Sequence, residues 1–234
     1  MIATFRGHAV PLLLAAVAAA GCGGEAPRPA ARPAGTNHAA DEVDTRRTLV
    51  FLGTSLTAGY GLDPDQAYPA LIQAKIDSAG LPFRVVNAGV SGETSAGARR
   101  RIEWLLARPV DVLVVETGAN DMLRGLEPDS LRANLRAILD AARHQSPPPQ
   151  LVLLAMEALP NYGARYTARF REVYREVARE TGAVLVPFFL EGVAGVPELN
   201  QPDGLHPTAE GQRRMAANLW TALEPVLRRL TDNA

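Results

Sequence analysis

The sequence predicts an α/β protein, a three-layer α/β/α sandwich around a five-stranded parallel sheet. Five short apolar runs recur along the chain, separated by longer segments in which apolar residues repeat at helical spacing. The runs are almost continuously apolar and rich in β-branched residues, as is typical of strands covered on both faces. Strands and helices that alternate in this way build a parallel sheet with helices on each side.

Turn-forming residues punctuate the predicted strands. The first apolar run stops at Gly53, and Pro109 introduces the third. Five strands are predicted, at residues 48–52, 83–87, 110–116, 151–155 and 184–186.

The segments between the strands place their apolar residues on one side, as amphipathic helices do. The stripe that follows the acidic cap Asp129 contains Leu131 and Leu135. Arg99-Arg100-Arg101 lies opposite Ile102, and we interpret this run as a solvated face rather than a binding patch. Five helices are predicted, at residues 68–80, 96–106, 129–144, 165–180 and 208–230.

The amino-terminal part of the chain is predicted to be a signal peptide, residues 1–21, of the lipoprotein type. Arg6 precedes an apolar stretch, residues 9–20, that is too short to span a bilayer. The following Ala19-Ala20-Gly21-Cys22 resembles a bacterial lipobox, with Ala19 where a large aliphatic residue is usual. Cys22, the single cysteine, is therefore the expected lipidation site. The alternative is cleavage after Ala20, which would leave a free thiol.

Residues 22–46 are rich in Ala, Pro and Gly without apolar periodicity, and predict a flexible tether. A tail without a role is the alternative. The folded domain is assigned to residues 47–234. We expect an exported protein, either a periplasmic or outer-membrane lipoprotein or a secreted one.

Composition excludes several classes of partner. The chain has 234 residues, 47% of them hydrophobic, and a formal net charge of −1. A charge so near zero provides no electrostatic footprint for nucleic acid or an anionic membrane surface. We expect contact with a membrane only through the lipid anchor, and a monomer.

Two short segments far apart in the chain contain the three residue types of a Ser-His-Asp nucleophilic site. Ser55 follows the first predicted strand, and Asp203 and His206 stand three residues apart before the last helix. Ligands of parallel sheets bind beyond the carboxyl ends of the strands, and Gly92 and Asn120 also follow strands. The remaining histidines are in the signal segment, the tether and a polar helix end, at His8, His38 and His144.

With these residues in place, the chain resembles the SGNH (GDSL-type) hydrolases, and within them the bacterial thioesterase, lysophospholipase and arylesterase branch. The resemblance covers residues 48 to about 228. Its four blocks are Gly53-Thr54-Ser55-Leu56-Thr57-Ala58-Gly59-Tyr60-Gly61, Val86-Asn87-Ala88-Gly89-Val90-Ser91-Gly92-Glu93-Thr94, Gly118-Ala119-Asn120-Asp121 and Asp203-Gly204-Leu205-His206-Pro207.

The resemblance implies the flavodoxin-like SGNH hydrolase fold and a role for each residue. Ser55 would be the nucleophile, His206 its base and Asp203 the residue that orients His206. The oxyanion would be held by the backbone N–H groups of Ser55 and Gly92 and by the Asn120 amide. By position in the chain, Leu159 and Pro160 are expected to line the acyl pocket.

Two positions depart from the family pattern. Thr54 replaces the aspartate of Gly-Asp-Ser, which changes the support of the nucleophile turn. Ala119 replaces the second glycine of block three, which requires a negative φ there.

The expected activity is hydrolysis of carboxylic esters, either aryl and short-chain esters or lysophospholipids, together with acyl thioesters. No cofactor and no metal is implied, since no His/Cys/Asp cluster has ligand spacing and Gly53–Gly61 lacks a P-loop ending. The alternatives are a carbohydrate O-acetylesterase of the same family and a non-catalytic binding lipoprotein. An α/β-hydrolase is disfavoured because Thr57 stands where the second glycine of Gly-x-Ser-x-Gly belongs. A flavodoxin-like nucleotide binder would not need the Asp-His pair.

Overall fold

A single parallel sheet runs through the middle of the described chain. The computed structural model describes residues 44–232, so the predicted signal peptide, Cys22 and most of the predicted tether lie outside this range. The strand order is β2-β1-β3-β4-β5, and every neighbouring pair is parallel. The strands are β1 (Arg47–Gly53), β2 (Phe83–Gly89), β3 (Val112–Glu116), β4 (Gln150–Leu154) and β5 (Val184–Val186).

Between residues 44 and 232, seven α-helices connect and follow the strands. They are α1 (Ser55–Ala58), α2 (Tyr68–Ser78), α3 (Ser95–Leu105), α4 (Ala119–Leu123), α5 (Pro128–Arg143), α6 (Ala164–Thr181) and α7 (Ala209–Asp232). Five of them correspond to the predicted helices. The two short ones, α1 and α4, were not predicted, because four or five residues cannot display a helical period.

The predicted strands are all present, with small shifts at their ends. The largest are of two residues, at the end of β2, which continues to Gly89, and at the start of β3, which begins at Val112 instead of Val110. The shift at β3 has a local cause. There the Asp111 carboxylate accepts the backbone N–H of Thr48 at 2.7 Å, so a side chain takes a bond that a strand residue would otherwise make. The five-stranded α/β prediction is confirmed.

The topology distributes the helices over two faces. The chain steps from β1 to β2 in one direction and from β2 past β1 to β3 in the other. Because such crossovers are right-handed, α2 lies on one face and α3, α5 and α6 lie on the other. The contacts agree, since α2 packs with α7 while α5 packs with both α3 and α6.

The core is centred on β1 and β3, which have neighbours on both edges. Every residue of β3 is buried, and Tyr68 and Tyr174 bring large rings from the helices to the sheet. None of the helices found between residues 44 and 232 is long and apolar enough to cross a membrane.

The strand order reverses between β1 and β3, and this reversal opens a crevice at the carboxyl edge of the sheet. The short helices α1 and α4 begin on the two sides of the crevice, directly after β1 and β3. The fold therefore provides two short, rigid turns at the place where ligands bind in sheets of this order.

Candidate active site

Ser55 occupies the first position of α1, immediately beyond β1. Thr54 precedes it in an extended conformation, and Gly59 ends the helix with a φ of 71°. The Ser55 side chain is 9% exposed. A hydroxyl is thus presented on a tight strand-to-helix turn with little freedom to move.

A buried carboxylate from the neighbouring strand β3 stabilises this turn. Glu116, at the end of β3, accepts the Thr54 backbone N–H at 2.8 Å and the Thr57 hydroxyl at 2.8 Å. The Thr54 hydroxyl also donates to Glu116, at 3.0 Å. A Cβ on Gly53 would lie 1.8 Å from Thr57 Oγ1 and 2.8 Å from Glu116 Oε2, so this glycine leaves room first for Thr57 and then for the carboxylate. Thr54, where the family has aspartate, is therefore a hydrogen-bond donor to a neighbouring acid.

Burial dominates the ionisation of Glu116. The side chain is inaccessible to solvent, and removal from water raises the pKa of its carboxyl, while the Thr54 and Thr57 donors oppose the shift. The Tyr68 hydroxyl lies 2.7 Å from Thr57 Oγ1, which extends the network into the core.

Ser55, His206 and Asp203 form a continuous chain of hydrogen bonds. His206 Nε2 lies 2.9 Å from Ser55 Oγ, and His206 Nδ1 lies 2.6 Å from Asp203 Oδ2. A carboxylate can only accept, so Nδ1 carries the proton and Nε2 is left to accept from the Ser55 hydroxyl. The geometry is that of a nucleophile, a base and a group that orients the base.

The Asp203 carboxylate is held in its charged form. The His206 side chain and the backbone N–H groups of His206 and Leu205 lower the pKa of Asp203 to about 2. Its Oδ1 accepts those two backbone N–H groups at 3.0 and 2.9 Å. One oxygen therefore fixes the loop, and the other is free to orient the imidazole.

Gln201 and Tyr60 fix the loop that carries the acid and the base. The Gln201 amide donates to the carbonyl groups of Tyr60 at 2.7 Å and Pro207 at 3.0 Å. The Tyr60 ring lies 4.5 Å from the His206 ring, centre to centre. Neither residue was singled out from the sequence, since a glutamine and a tyrosine in loops carry no pattern.

Gly92 lies in a tight turn beyond β2. The Glu93 N–H donates to the Val90 carbonyl at 3.2 Å, and Gly92 has a φ of 75°. A Cβ at this position would meet nothing within 4 Å, so it is this backbone conformation that requires glycine, not crowding. Within residues 44–232 neither the Gly92 N–H nor the Ser55 N–H donates a hydrogen bond to the protein.

Asn120, in α4, has its amide beside the same turn. Its Nδ2 donates one hydrogen to the Glu93 carbonyl at 2.9 Å, which leaves the second hydrogen available. Ala119 has a negative φ, as expected, because every residue with positive φ between 44 and 232 is a glycine. Gly118 takes the positive φ of 118° in its place.

An apolar cavity of about 430 Å³ opens beside the nucleophile. Ser55, Asn120 and His206 line it together with the polar Glu157 and Asn200, whereas Gly92 is not part of its wall. Leu159 and Pro160 line it, next to a 3₁₀ turn over Pro160–Tyr162. The other large apolar side chains in the wall are those of Leu56, Met122, Leu123, Met156, Phe188, Leu190 and Leu205.

The interpretation of Arg99-Arg100-Arg101 as a solvated face holds for two of its three residues. Arg99 and Arg100 are exposed, but the Arg101 side chain is only 19% exposed and pairs with Glu93 at 2.7 Å. Arg101 lies on the side of α3 that faces the Gly92 turn. The sequence alone does not predict this contact, because it does not show where that turn lies. In the described part of the chain no His, Cys, Asp and Glu side chains cluster in threes as metal ligands would.

The family comparison matches the same segments. Residues 51–214 match the model of the GDSL-like Lipase/Acylhydrolase family. The chain is 44% identical over 182 residues to Esterase TesA of Pseudomonas aeruginosa, covering 77% of this chain and 90% of that protein. It is 38% identical over 182 residues to the Escherichia coli protein named Thioesterase 1/protease 1/lysophospholipase L1, and the match covers 77% of this chain and 85% of that protein.

A solved structure agrees in fold. The crystal structure of TesA superposes with a TM-score of 0.73 at 43% sequence identity, and the match covers 76% of this chain and 99% of that one. The likeness therefore extends over nearly the whole of the described domain.

Proposed function

Because the chain belongs to the GDSL-like lipase/acylhydrolase family and is a hydrolase of carboxylic esters, we propose that it acts through a covalent acyl-enzyme on Ser55. The observation that carries the proposal is the hydrogen-bonded series from Ser55 Oγ through His206 to Asp203, with distances of 2.9 and 2.6 Å. Ser55 and His206 of this series line the apolar cavity.

The reaction follows from the protonation states. Ser55 Oγ attacks the carbonyl carbon as its proton passes to His206 Nε2, and the C–O or C–S bond breaks as that proton passes to the leaving group. Water then gives a proton to Nε2 as its oxygen attacks the acyl-enzyme. That proton passes from Nε2 to Ser55 Oγ as the bond between Oγ and the acyl carbon breaks, which releases the acid and restores Ser55. Asp203 stays ionised, because its pKa is lowered to about 2, and stabilises the imidazolium.

The negative charge that develops on the carbonyl oxygen needs donors that are not otherwise occupied. The Ser55 and Gly92 N–H groups and the second hydrogen of Asn120 Nδ2 meet this requirement. Such donors are usually the largest single contribution to acyl transfer.

The cavity supports an acyl chain as the group that is bound. Its wall includes five leucines, two methionines and a phenylalanine, and its volume of about 430 Å³ is that of a small-molecule pocket. We propose aryl and short-chain esters or lysophospholipids as substrates, together with acyl thioesters. The printed names of the relatives, an esterase and a thioesterase/lysophospholipase, support this range.

A carbohydrate O-acetylesterase is the second candidate. The proposed machinery would serve it equally, but an acetyl group leaves most of an apolar cavity of this size empty. The cavity therefore favours a longer acyl group.

We further propose export through residues 1–21 and lipid attachment at Cys22, with the domain acting as a monomer. The support is the sequence of that region, with Arg6, an apolar stretch and a lipobox-like Ala19-Ala20-Gly21-Cys22.

The test is hydrolysis of a p-nitrophenyl ester series from acetate to palmitate by the purified protein and by its Ser55→Ala variant. We expect activity in the parent, loss in the variant, and an optimum longer than acetate. Full activity in Ser55→Ala would reject the acyl-enzyme. An optimum at acetate would favour the O-acetylesterase, and a folded parent that is inactive on every ester would favour a binding protein.

A further inference from the structure

The two backbone donors proposed for the oxyanion come from different elements. Ser55 follows β1, whereas Gly92 belongs to the turn after β2. The ladder between these strands ends with Gly53 opposite Gly89, before either donor is reached. Beyond the ladder, the Val90 N–H donates to the Gly53 carbonyl at 2.9 Å, and Arg124 Nη2 donates to the Gly92 carbonyl at 2.8 Å. The separation of the two N–H groups therefore depends on contacts made by the turn itself.

Arg101 makes such contacts with both segments. Its Nη2 donates to Glu93 Oε2 at 2.7 Å and its Nε donates to Glu93 Oε1 at 2.9 Å. The same Nη2 donates to the Gly53 carbonyl at 3.3 Å. One guanidinium thus joins the residue after Gly92 to the residue two before Ser55.

The pair is built into the fold. The side chains of Arg101 and Glu93 are only 19% and 11% exposed, so solvent screens them less than it screens a surface pair. Gly97 leaves the space for it, because a Cβ there would lie 2.6 Å from Glu93 Cγ. A planar guanidinium can hold a carboxylate and a carbonyl together in a fixed orientation that an ammonium cannot reproduce.

We infer that Arg101 and Glu93 are positioning residues that fix the Gly92 N–H relative to the Ser55 N–H, so that both donors meet the same oxyanion. The inference rests on the proposed function, and it assigns the pair no contact with the substrate. Misplacement of reacting groups by about 1 Å can cost on the order of 100-fold in rate. The loss should fall on turnover, because the donors act on the charge that develops in the transition state.

The pair could instead serve stability alone, as many buried ion pairs do. The two roles separate in kinetics. A stability pair would lower the melting temperature with kcat unchanged in the folded fraction, whereas a positioning pair lowers kcat with KM little changed.

The experiment compares Arg101→Gln with Arg100→Gln, which removes the same charge from an exposed neighbour on the same helix. Both are measured for kcat and KM on a p-nitrophenyl ester, for melting temperature, and for binding of an alkylboronic acid, whose tetrahedral serine adduct places an oxygen at the oxyanion position. Arg101→Gln should lose roughly 10- to 100-fold in kcat and a similar factor in boronate affinity. Arg100→Gln should match the parent.

If Arg101→Gln does not fold, the same measurements are made on Arg101→Lys and Glu93→Gln. In each of these variants kcat should fall by a smaller factor. In the double variant Glu93→Gln/Arg101→Lys it should fall little further than in the worse single variant, because both substitutions disrupt the same Arg101–Glu93 contact. Kinetics of Arg101→Gln like those of Arg100→Gln would overturn the inference. So would a lower melting temperature with unchanged kcat and boronate affinity.

Failure of the proposed function gives a different result. Were Ser55→Ala to keep full activity, or the parent to lack activity, the acyl-enzyme and this inference would both be wrong. An active parent, an inactive Ser55→Ala and an unaffected Arg101→Gln would remove only the positioning role.

Discussion

At the scale of single residues, the position of one proton decides whether the site works. Asp203 keeps that proton on His206 Nδ1, since its Oδ2 lies 2.6 Å away and its pKa is lowered to about 2. An amide in place of the carboxylate could donate to Nδ1 and stabilise the other tautomer, in which Nε2 cannot accept from Ser55.

We therefore expect Asp203→Asn to fold and to lose about 10⁴-fold in kcat. Steady-state kinetics on a p-nitrophenyl ester measure the loss, and circular dichroism with a thermal melt checks the fold. Turnover near that of the parent would reject the triad assignment.

Glu116 leads to a prediction about pH and stability. Its pKa is raised by burial above the ordinary value of 4.5, so the folded protein binds its proton more tightly than the unfolded chain does. For such a group the stabilising contribution is complete below pH 4.5 and is lost as the pH rises through the raised pKa. The free energy of unfolding can change through this group by at most about 1.4 kcal/mol per pH unit.

Glu116→Gln cannot titrate, so its free energy of unfolding should rise relative to the parent as the pH increases above 4.5. Urea denaturation of both proteins at several pH values measures the difference. A constant offset that does not vary with pH would contradict the prediction, whichever protein is more stable.

At the scale of elements, regular strands and long helices were predictable and the turns between them were not. The apolar runs at β1 and β3 are buried by both helix layers, and this burial is visible as composition. The short helices α1 and α4 depend on hydrogen bonds from outside their own sequence. The support of α1 by Glu116 comes from a strand 62 positions away, so no local signal reports it.

The same contrast holds for the candidate site. Ser55, Asp203 and His206 were found because their residue types are rare in that combination, and the structure brings them together. Arg101 was misread because helical periodicity distinguishes only an apolar from a polar side. For the buried polar network, the sequence offers one sign: the charged residue Glu116 at the end of an otherwise apolar strand.

The loop over residues 156–163 is the element expected to set the chain-length preference. Leu159 lines the cavity and is 41% exposed. We expect Leu159→Ala to lower kcat/KM for long acyl esters by about 10-fold while leaving acetate nearly unchanged, since a few buried methylenes are worth about that factor.

Leu126→Ala is the matched control, because Leu126 is equally exposed, at 39%, and does not line the cavity. The p-nitrophenyl series supplies the measurement. An unchanged profile in Leu159→Ala would exclude this loop from acyl recognition.

At the scale of the whole molecule, the proposed anchor and the catalytic domain make separate contributions. We expect Cys22→Ser to move the protein from the membrane fraction to the soluble one without changing kcat on a water-soluble ester, because Cys22 precedes the domain. Ser55→Ala should do the reverse, losing activity while staying with the membrane. Recovery of the parent from the soluble fraction of Gram-negative host cells would reject lipid attachment.

The direction of β1 has a practical consequence for surface immobilisation. The chain enters the sheet at Arg47 and reaches Ser55 only after the seven-residue strand, a rise of about 23 Å at 3.3 Å per residue. The start of β1 at Arg47 and the Ser55 end of the cavity therefore lie at opposite ends of this strand. A biocatalyst coupled to a bead beside Arg47 would be oriented with the active site toward the reaction medium, whereas coupling near residues 156–163 or 201–207 would block substrate entry.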